Sequence, residues 1–309
     1  MTPRIASIRI GTRGSLLALA QARFVKERLQ ERYEGLEVET KIIKTSGDRF
    51  VSLPIKSVGG KGIFVKEIEE ALLEGQVDVA IHSFKDLPTE LTPGLCLAAV
   101  VEREDARDVC VSADGTSLKA LPRGARVGTG SLRRRAQLLN WRGDLAVVPI
   151  RGNIDTRLKK LHNREVDCLV LAAAGLKRIG AEERITEYLE PEVCLGAVAQ
   201  GALAVETRAG DAVNDALSFL HHAPTAAEVS AERAFLRRLG GGCHLPVAAR
   251  AWANGAEVKL LGLVADIDGV KVVRGEISGS ADESERLGIE LAEELLKRGA
   301  AAILSPDGR

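Results

Sequence analysis

Apolar and polar positions along the chain follow two periods, and the two succeed one another in a recurring order. A short β-branched run comes first, then a Gly/Ser/Thr turn, then a stretch with apolar residues three and four apart. The run is strand patterning and the stretch is an amphipathic helix. Residues 5–10 read as a strand, Ser15 caps a helix to about Tyr33, 38–44 is a second strand, 64–75 a helix and 77–83 a short buried strand. The order restarts after Glu102-Arg103-Glu104-Asp105. There 109–112, 126–128, 145–150 and 168–171 read as strands, and 131–141, 155–162 and 173–179 as helices. A crossover near 194–200 leads to 202–206, an apolar strand without a full set around it. Such alternation predicts mostly parallel sheets with helices on their faces, an α/β class.

From His221-His222-Ala223-Pro224 the texture changes. A helix at 225–239 runs into Gly240-Gly241-Gly242-Cys243, and three alternating strands follow at 246–253, 257–265 and 270–278. Asn254-Gly255 and Asp268-Gly269 sit between them as hairpin signals, and a helix at 280–298 comes last. This predicts a small α+β domain with a three-stranded antiparallel sheet. Three domains are expected: 1–102 with 200–220, 103–199, and 221–309.

Composition narrows the function. Of 309 residues, 45% are apolar, enough for packed cores, and 43 basic residues balance 43 acidic ones. Zero net charge argues against a protein that coats nucleic acid or an anionic membrane. No apolar run reaches membrane-spanning length, and MTPRIASIRIGTRGS has no uninterrupted apolar core of a secretory signal, so a cytoplasmic home is expected. Five scattered cysteines without a paired spacing suit free thiols in a reducing compartment. Balanced charge also favours a monomer.

Local charge is not balanced. In open α/β sheets ligands bind beyond the carboxyl ends of the strands. Arg13 follows the first strand, Lys85 the strand at 77–83, Thr129-Gly130-Ser131-Leu132-Arg133-Arg134 the strand at 126–128, and Arg151 the strand at 145–150, with Arg157 a turn further on. Any one of these alone is an ordinary solvated charge, and Ser131 alone an ordinary N-cap. Their recurrence at strand ends of both α/β sets predicts a cleft for a multiply anionic small molecule, since arginine forks match carboxylates and phosphates. Gly128-Thr129-Gly130 lacks the third glycine of a dinucleotide loop, and Gly59-Gly60-Lys61-Gly62 lacks the Walker Ser/Thr. No zinc-binding spacing is present, so no metal is expected.

Two further residues carry candidate chemistry. Asp86, beside Lys85, is either a turn cap or a carboxylate held among cations, able to stabilise a cationic intermediate or shuttle a proton. Cys243 ends a glycine run, where an exposed thiol could bond a ligand covalently, whereas the other four cysteines sit in apolar stretches and suit buried positions.

Eight segments, in order and spanning nearly the whole chain, resemble the porphobilinogen deaminase (hydroxymethylbilane synthase) family. They are 10–21, beginning Ile10-Gly11-Thr12-Arg13-Gly14-Ser15; Lys44-Thr45-Ser46-Gly47-Asp48; Gly59-Gly60-Lys61-Gly62-Ile63-Phe64; His82-Ser83-Phe84-Lys85-Asp86-Leu87-Pro88; Gly128-Thr129-Gly130-Ser131-Leu132-Arg133-Arg134; Arg151-Gly152-Asn153-Ile154-Asp155-Thr156-Arg157; Ala174-Gly175-Leu176-Lys177-Arg178; and Gly241-Gly242-Cys243. The resemblance implies two α/β domains like periplasmic binding proteins, and a dipyrromethane cofactor joined by a thioether to Cys243. It implies a transferase of tetrapyrrole and heme biosynthesis that adds four porphobilinogen units with loss of ammonia. Hydrolysis then frees linear hydroxymethylbilane.

Each pyrrole carries an acetate and a propionate. Arg13, Lys85, Arg133, Arg134, Arg151, Arg157 and Arg178 would pair with these, helped by Ser83, Thr129 and Ser131, while Asp86 would stabilise the azafulvene cation left by ammonia. The polar segment 46–61 suits a lid, with Lys61 and Phe64 at its inner end, and Gln200 matches a family position in the crossover. Three positions depart from the family pattern: Ala199 and Gly240 stand where a glycine and a glutamate are usual, and His244 replaces a glutamine. A solute-binding or sensory protein closing on an anion, and more distantly a cysteine-dependent hydrolase, are the alternatives. A binder would leave porphobilinogen unconsumed.

Overall fold

The computed structural model describes residues 5–46, 65–241 and 245–305. Strand β1 (Ser7–Thr12) leads through Ser15 into α1 (Leu16–Arg32), whose first turn is capped by the Ser15 hydroxyl accepting the Ala18 N–H at 3.3 Å. There follow β2 (Glu37–Ile42), α2 (Lys66–Leu73), β3 (Val79–Ser83) and β4 (Leu95–Val100). Then come β5 (Asp108–Ser112), β6 (Arg126–Gly128), α3 (Leu132–Trp141), β7 (Ala146–Val148), α4 (Ile154–His162), β8 (Cys168–Ala172) and α5 (Ala173–Arg178). Short β9 (Glu187–Tyr188) and α6 (Pro191–Cys194) precede β10 (Leu203–Arg208), α7 (Val213–Leu217) and α8 (Ala223–Arg238). The chain ends in β11 (Val247–Asn254), β12 (Glu257–Ala265), β13 (Val272–Ser280), α9 (Ser284–Leu295) and α10 (Ala301–Leu304).

The chain divides into two units, Met1–Arg103 with Ala202–Ala226, and Glu104–Gly201 with Ala227–Arg309. In the first, a sheet of order β2-β1-β3-β10-β4 pairs β1 in parallel with β2 and β3, while β10 runs antiparallel to both of its neighbours. Strand alternation splits its side chains between two cores. Val79 and Ile81 pack with Ile8, Ile10, Val25 and Leu29 on the α1 side, and Ala80 packs with Ile68 and Leu72 on the α2 side.

The second unit holds two sheets. One has the order β7-β6-β8-β5-β9, again parallel about its first strand β6 and again with one antiparallel strand, β5. The other is the antiparallel β11-β12-β13. The fold is therefore two mixed α/β sheets plus a three-stranded antiparallel sheet. The two α/β sheets repeat one strand order, with the odd antiparallel strand in the same place. In each, that strand lies outside the local βαβ run: β10 comes from the far side of the second set, and β5 precedes β6. Strand β4 escapes a reading from sequence because Leu95-Cys96-Leu97-Ala98-Ala99-Val100 neither alternates nor carries many β-branched residues.

Candidate active site

In the first unit the site residues come from one sheet edge. Strands β1 and β3 are parallel neighbours, with Ile10 opposite Val79, so Arg13 and the segment Ser83-Phe84-Lys85-Asp86 leave at the same end. A single 3-10 turn, Phe84–Asp86, follows β3 at once. Its Phe84 ring is buried and its N–H donates to the Ala202 carbonyl at 3.0 Å, which fixes the turn to the entry of β10. Asp86, two residues on, is exposed, while Arg13 and Lys85 are half-buried. The Ser83 hydroxyl accepts the Gln21 side-chain N–H at 2.8 Å. Behind the turn, His82 Nε2 lies 3.1 Å from Glu206 Oε2, both side chains being buried.

In the second unit β6 runs parallel to β7 and β8, with Gly128 opposite Val148 and Leu169. The Thr129 N–H donates to Val148 O at 3.0 Å and Ile150 N–H to Thr129 O at 3.3 Å, so the exits of β6 and β7 stay laced up to Arg151. Ser131 caps α3 by accepting the Arg134 N–H at 3.4 Å. Arg157 donates through Nε to Gly152 O at 2.8 Å, and Arg178 at the end of α5 donates to Gly201 O at 2.6 Å. Burial pushes Arg178 down to about 10, against the opposing pull of Glu104, and leaves it charged at neutral pH.

Arg133 and Arg134, expected among the carboxylate-binding residues, and Gln200, expected in the crossover beside the cleft, converge on one buried carboxylate. All three are buried on Asp108, the first residue of β5, which lies opposite Ala172 at the end of β8. Arg133 Nη1 and Arg134 Nη2 each reach an Asp108 oxygen at 2.7 Å, and Gln200 Nε2 donates to Asp108 Oδ1 and to Ala106 O, both at 2.8 Å. Arg133 also donates to Leu195 O, and Arg134 to Val170 O at 3.0 Å. Burial alone would push the Asp108 carboxyl up. The two guanidiniums outweigh it and hold the acid far below the usual carboxylate range. Two cations on one anion leave a net positive charge. The Arg134 Nε–H is buried with no acceptor among the described residues.

Sequence reasoning missed Asp108, which has no local motif, and Cys194, whose buried thiol donates to Asp108 Oδ2 at 3.3 Å. Burial and the Asp108 carboxylate push that thiol up to about 12, so it is no nucleophile. Ala199, one of the departures, has φ of +59° and is fully buried, so a glycine would sit there without strain. Gly240 is also left-handed, at +70°, where a glutamate would be strained. Cys243, His244, Lys61, Phe64 and residues 47–61 of the expected lid lie outside the described residues.

Fold and site define a protein of two mixed α/β sheets and a small antiparallel sheet, in which basic side chains follow the carboxyl ends of parallel strands in both α/β sets. Residues 8–215 match the family model "Porphobilinogen deaminase, dipyromethane cofactor binding domain", and residues 226–297 match "Porphobilinogen deaminase, C-terminal domain". A porphobilinogen deaminase of Pelobacter propionicus is 52% identical over 98% of this chain and 97% of its own length. One from Geobacter sulfurreducens is 50% identical over 96% and 94%. Among solved structures, a TRAP periplasmic solute binding protein of Desulfovibrio salexigens shares 13% identity over 70% of this chain and 72% of that one, with a TM-score of 0.41. The chain belongs to the porphobilinogen deaminase family, and it is an enzyme of the transferase class.

Proposed function

We propose that the protein polymerises four porphobilinogen units head to tail onto a dipyrromethane primer bound through a thioether to Cys243, releasing ammonia at each addition and hydroxymethylbilane at the end. The observation that carries this reading is the exposed Asp86 carboxylate on a buried Phe84 anchor, sharing its sheet edge with Lys85 and Arg13. When bound, the primer supplies the pyrrole carbon that is extended. The cluster at Asp108 fits such a polyacid: it carries surplus positive charge and a buried, unaccepted Arg134 donor, and a buried polar group left unpaired costs about 1–3 kcal/mol.

The roles follow from chemistry. Arg13, Lys85, Arg133, Arg134, Arg151, Arg157 and Arg178 hold acetate and propionate groups, and Ser83, Thr129 and Ser131 add neutral hydrogen bonds. Asp86 faces the reacting ring, stabilises its positive charge as ammonia leaves, and accepts hydrogen bonds from pyrrole N–H groups. Lys61 and Phe64 contribute from the lid segment, and Gln200 holds Asp108 within the cationic cluster. The protein works as a cytoplasmic monomer without a metal or nucleic acid.

Incubation with porphobilinogen tests the reaction, because a solute-binding protein leaves it unconsumed. The intact mass of the purified chain is expected to exceed the sequence mass by two pyrrole units, and Cys243→Ser is expected to remove that increment. A fully active chain at the bare sequence mass overturns the thioether. Asp86→Asn is expected to keep the added mass and the fold while turnover falls by about a hundredfold or more. Near-normal turnover would show that the carboxylate charge is not needed.

A further inference from the structure

We infer that Glu232 is a positioning residue, whose buried carboxylate latches the segment before β10 to α8 and β11 and so sets the pose of Gln200 against the Arg133–Asp108–Arg134 cluster. Glu232 is fully buried on α8. Its two oxygens accept backbone N–H groups from two separate segments, Oε2 from Ala199 at 2.6 Å and Oε1 from Ala251 in β11 at 2.7 Å. Arg250 Nη1 stands 3.6 Å from Oε1 and bonds Glu228 Oε2 at 2.7 Å, placing one positive charge near the carboxylate.

The residue it grips is itself strained. Ala199 is left-handed, a conformation that an alanine leaves unless something holds it. The next two residues carry the consequence. Gln200 bonds Asp108 and Ala106 through its side chain, and Gly201 O accepts both the Arg178 guanidinium and the Glu104 N–H. If Ala199 relaxed to negative φ, the peptide after it would turn over, and those bonds could not all persist. Glu232 therefore acts on the cationic cluster through Ala199 and Gln200 without touching the substrate.

A double-mutant cycle tests this. In Glu232→Gln the amide offers one carbonyl oxygen where two N–H groups need acceptors. Hydrogen exchange at the Ala199 amide is expected to speed up by about tenfold or more, and kcat for porphobilinogen consumption to fall by about tenfold, with KM changed less. Glycine holds positive φ without a latch, so Ala199→Gly alone is expected to leave kcat within about twofold, and in the Glu232→Gln background to restore most of the loss. Unchanged exchange in Glu232→Gln, or an Ala199→Gly effect that is the same in both backgrounds, overturns the inference. If Glu232→Gln does not fold, Glu232→Asp enters the same cycle, keeping the charge one methylene short of spanning both amides. The activity arm rests on the reaction proposed above and the exchange arm does not. Absence of turnover in the unmodified chain would sink the reaction while leaving the latch to be judged on exchange.

Discussion

Asp108 carries a large electrostatic stake, being fully buried between two guanidiniums. Removing its charge leaves two buried guanidiniums facing each other, and breaking a buried pair from one side typically costs about 3–5 kcal/mol. Asp108→Asn is expected to lose that much in urea unfolding. Because the folded carboxyl is held below its unfolded value near 4, its contribution is complete above that value and is lost as pH falls below it. The acid limb of a stability–pH curve is therefore expected to be flatter in Asp108→Asn than in the unmodified chain. Cysteine reactivity is a second residue-scale outcome: native alkylation followed by peptide mass spectrometry should leave Cys110, Cys168 and Cys194 unmodified, since all three are buried. Rapid labelling of any of them would contradict the packing. Arg13, Lys85, Asp86, Thr129 and Arg151 could be placed after strands from sequence because each stands within a few residues of a strand-patterned run. Asp108 could not, since its guanidinium partners lie 25 and 26 positions away.

At the scale of elements, α3 matters most, because it carries Arg133 and Arg134 and is buttressed from the β12–β13 turn. Asn140 donates to Gly269 O at 2.9 Å and Arg135 reaches Asp268 at 3.1 Å. Gly269 has φ of +69°, and a Cβ there would stand 2.2 Å from Ala136 O. Gly269→Ala is expected to cost more than about 2 kcal/mol, since it meets both a backbone clash and a disfavoured dihedral. Gly255→Ala is the control: its φ is +61° but nothing lies within 4 Å, so only the dihedral penalty of about 1 kcal/mol is expected. Chemical denaturation of the two variants checks the difference. Asp268-Gly269 was legible as a turn. Its docking on α3 was not, because hairpin signals encode local dihedrals and say nothing of what the turn touches.

For the whole molecule, topology decides what can stand alone. Strand β10 lies between β3 and β4, yet it is supplied from beyond the second α/β set. A fragment of residues 1–103 would lose its fourth strand and expose two apolar edges. It is expected to show no cooperative unfolding by circular dichroism, whereas adding residues 202–226 through a short linker should restore a transition. Residue order alone specifies the alternation of strands and helices, the antiparallel character of the C-terminal sheet, the family, and which side chains follow strand ends. All of these depend on near neighbours or on ordered motifs. The folded chain adds that each α/β sheet receives an antiparallel strand from outside its local run, that Arg133, Arg134 and Gln200 converge on Asp108, and that a buried glutamate holds a left-handed alanine. Those depend on pairings between distant segments, where burial turns a modest Coulomb attraction in water into a strong and geometrically exacting one.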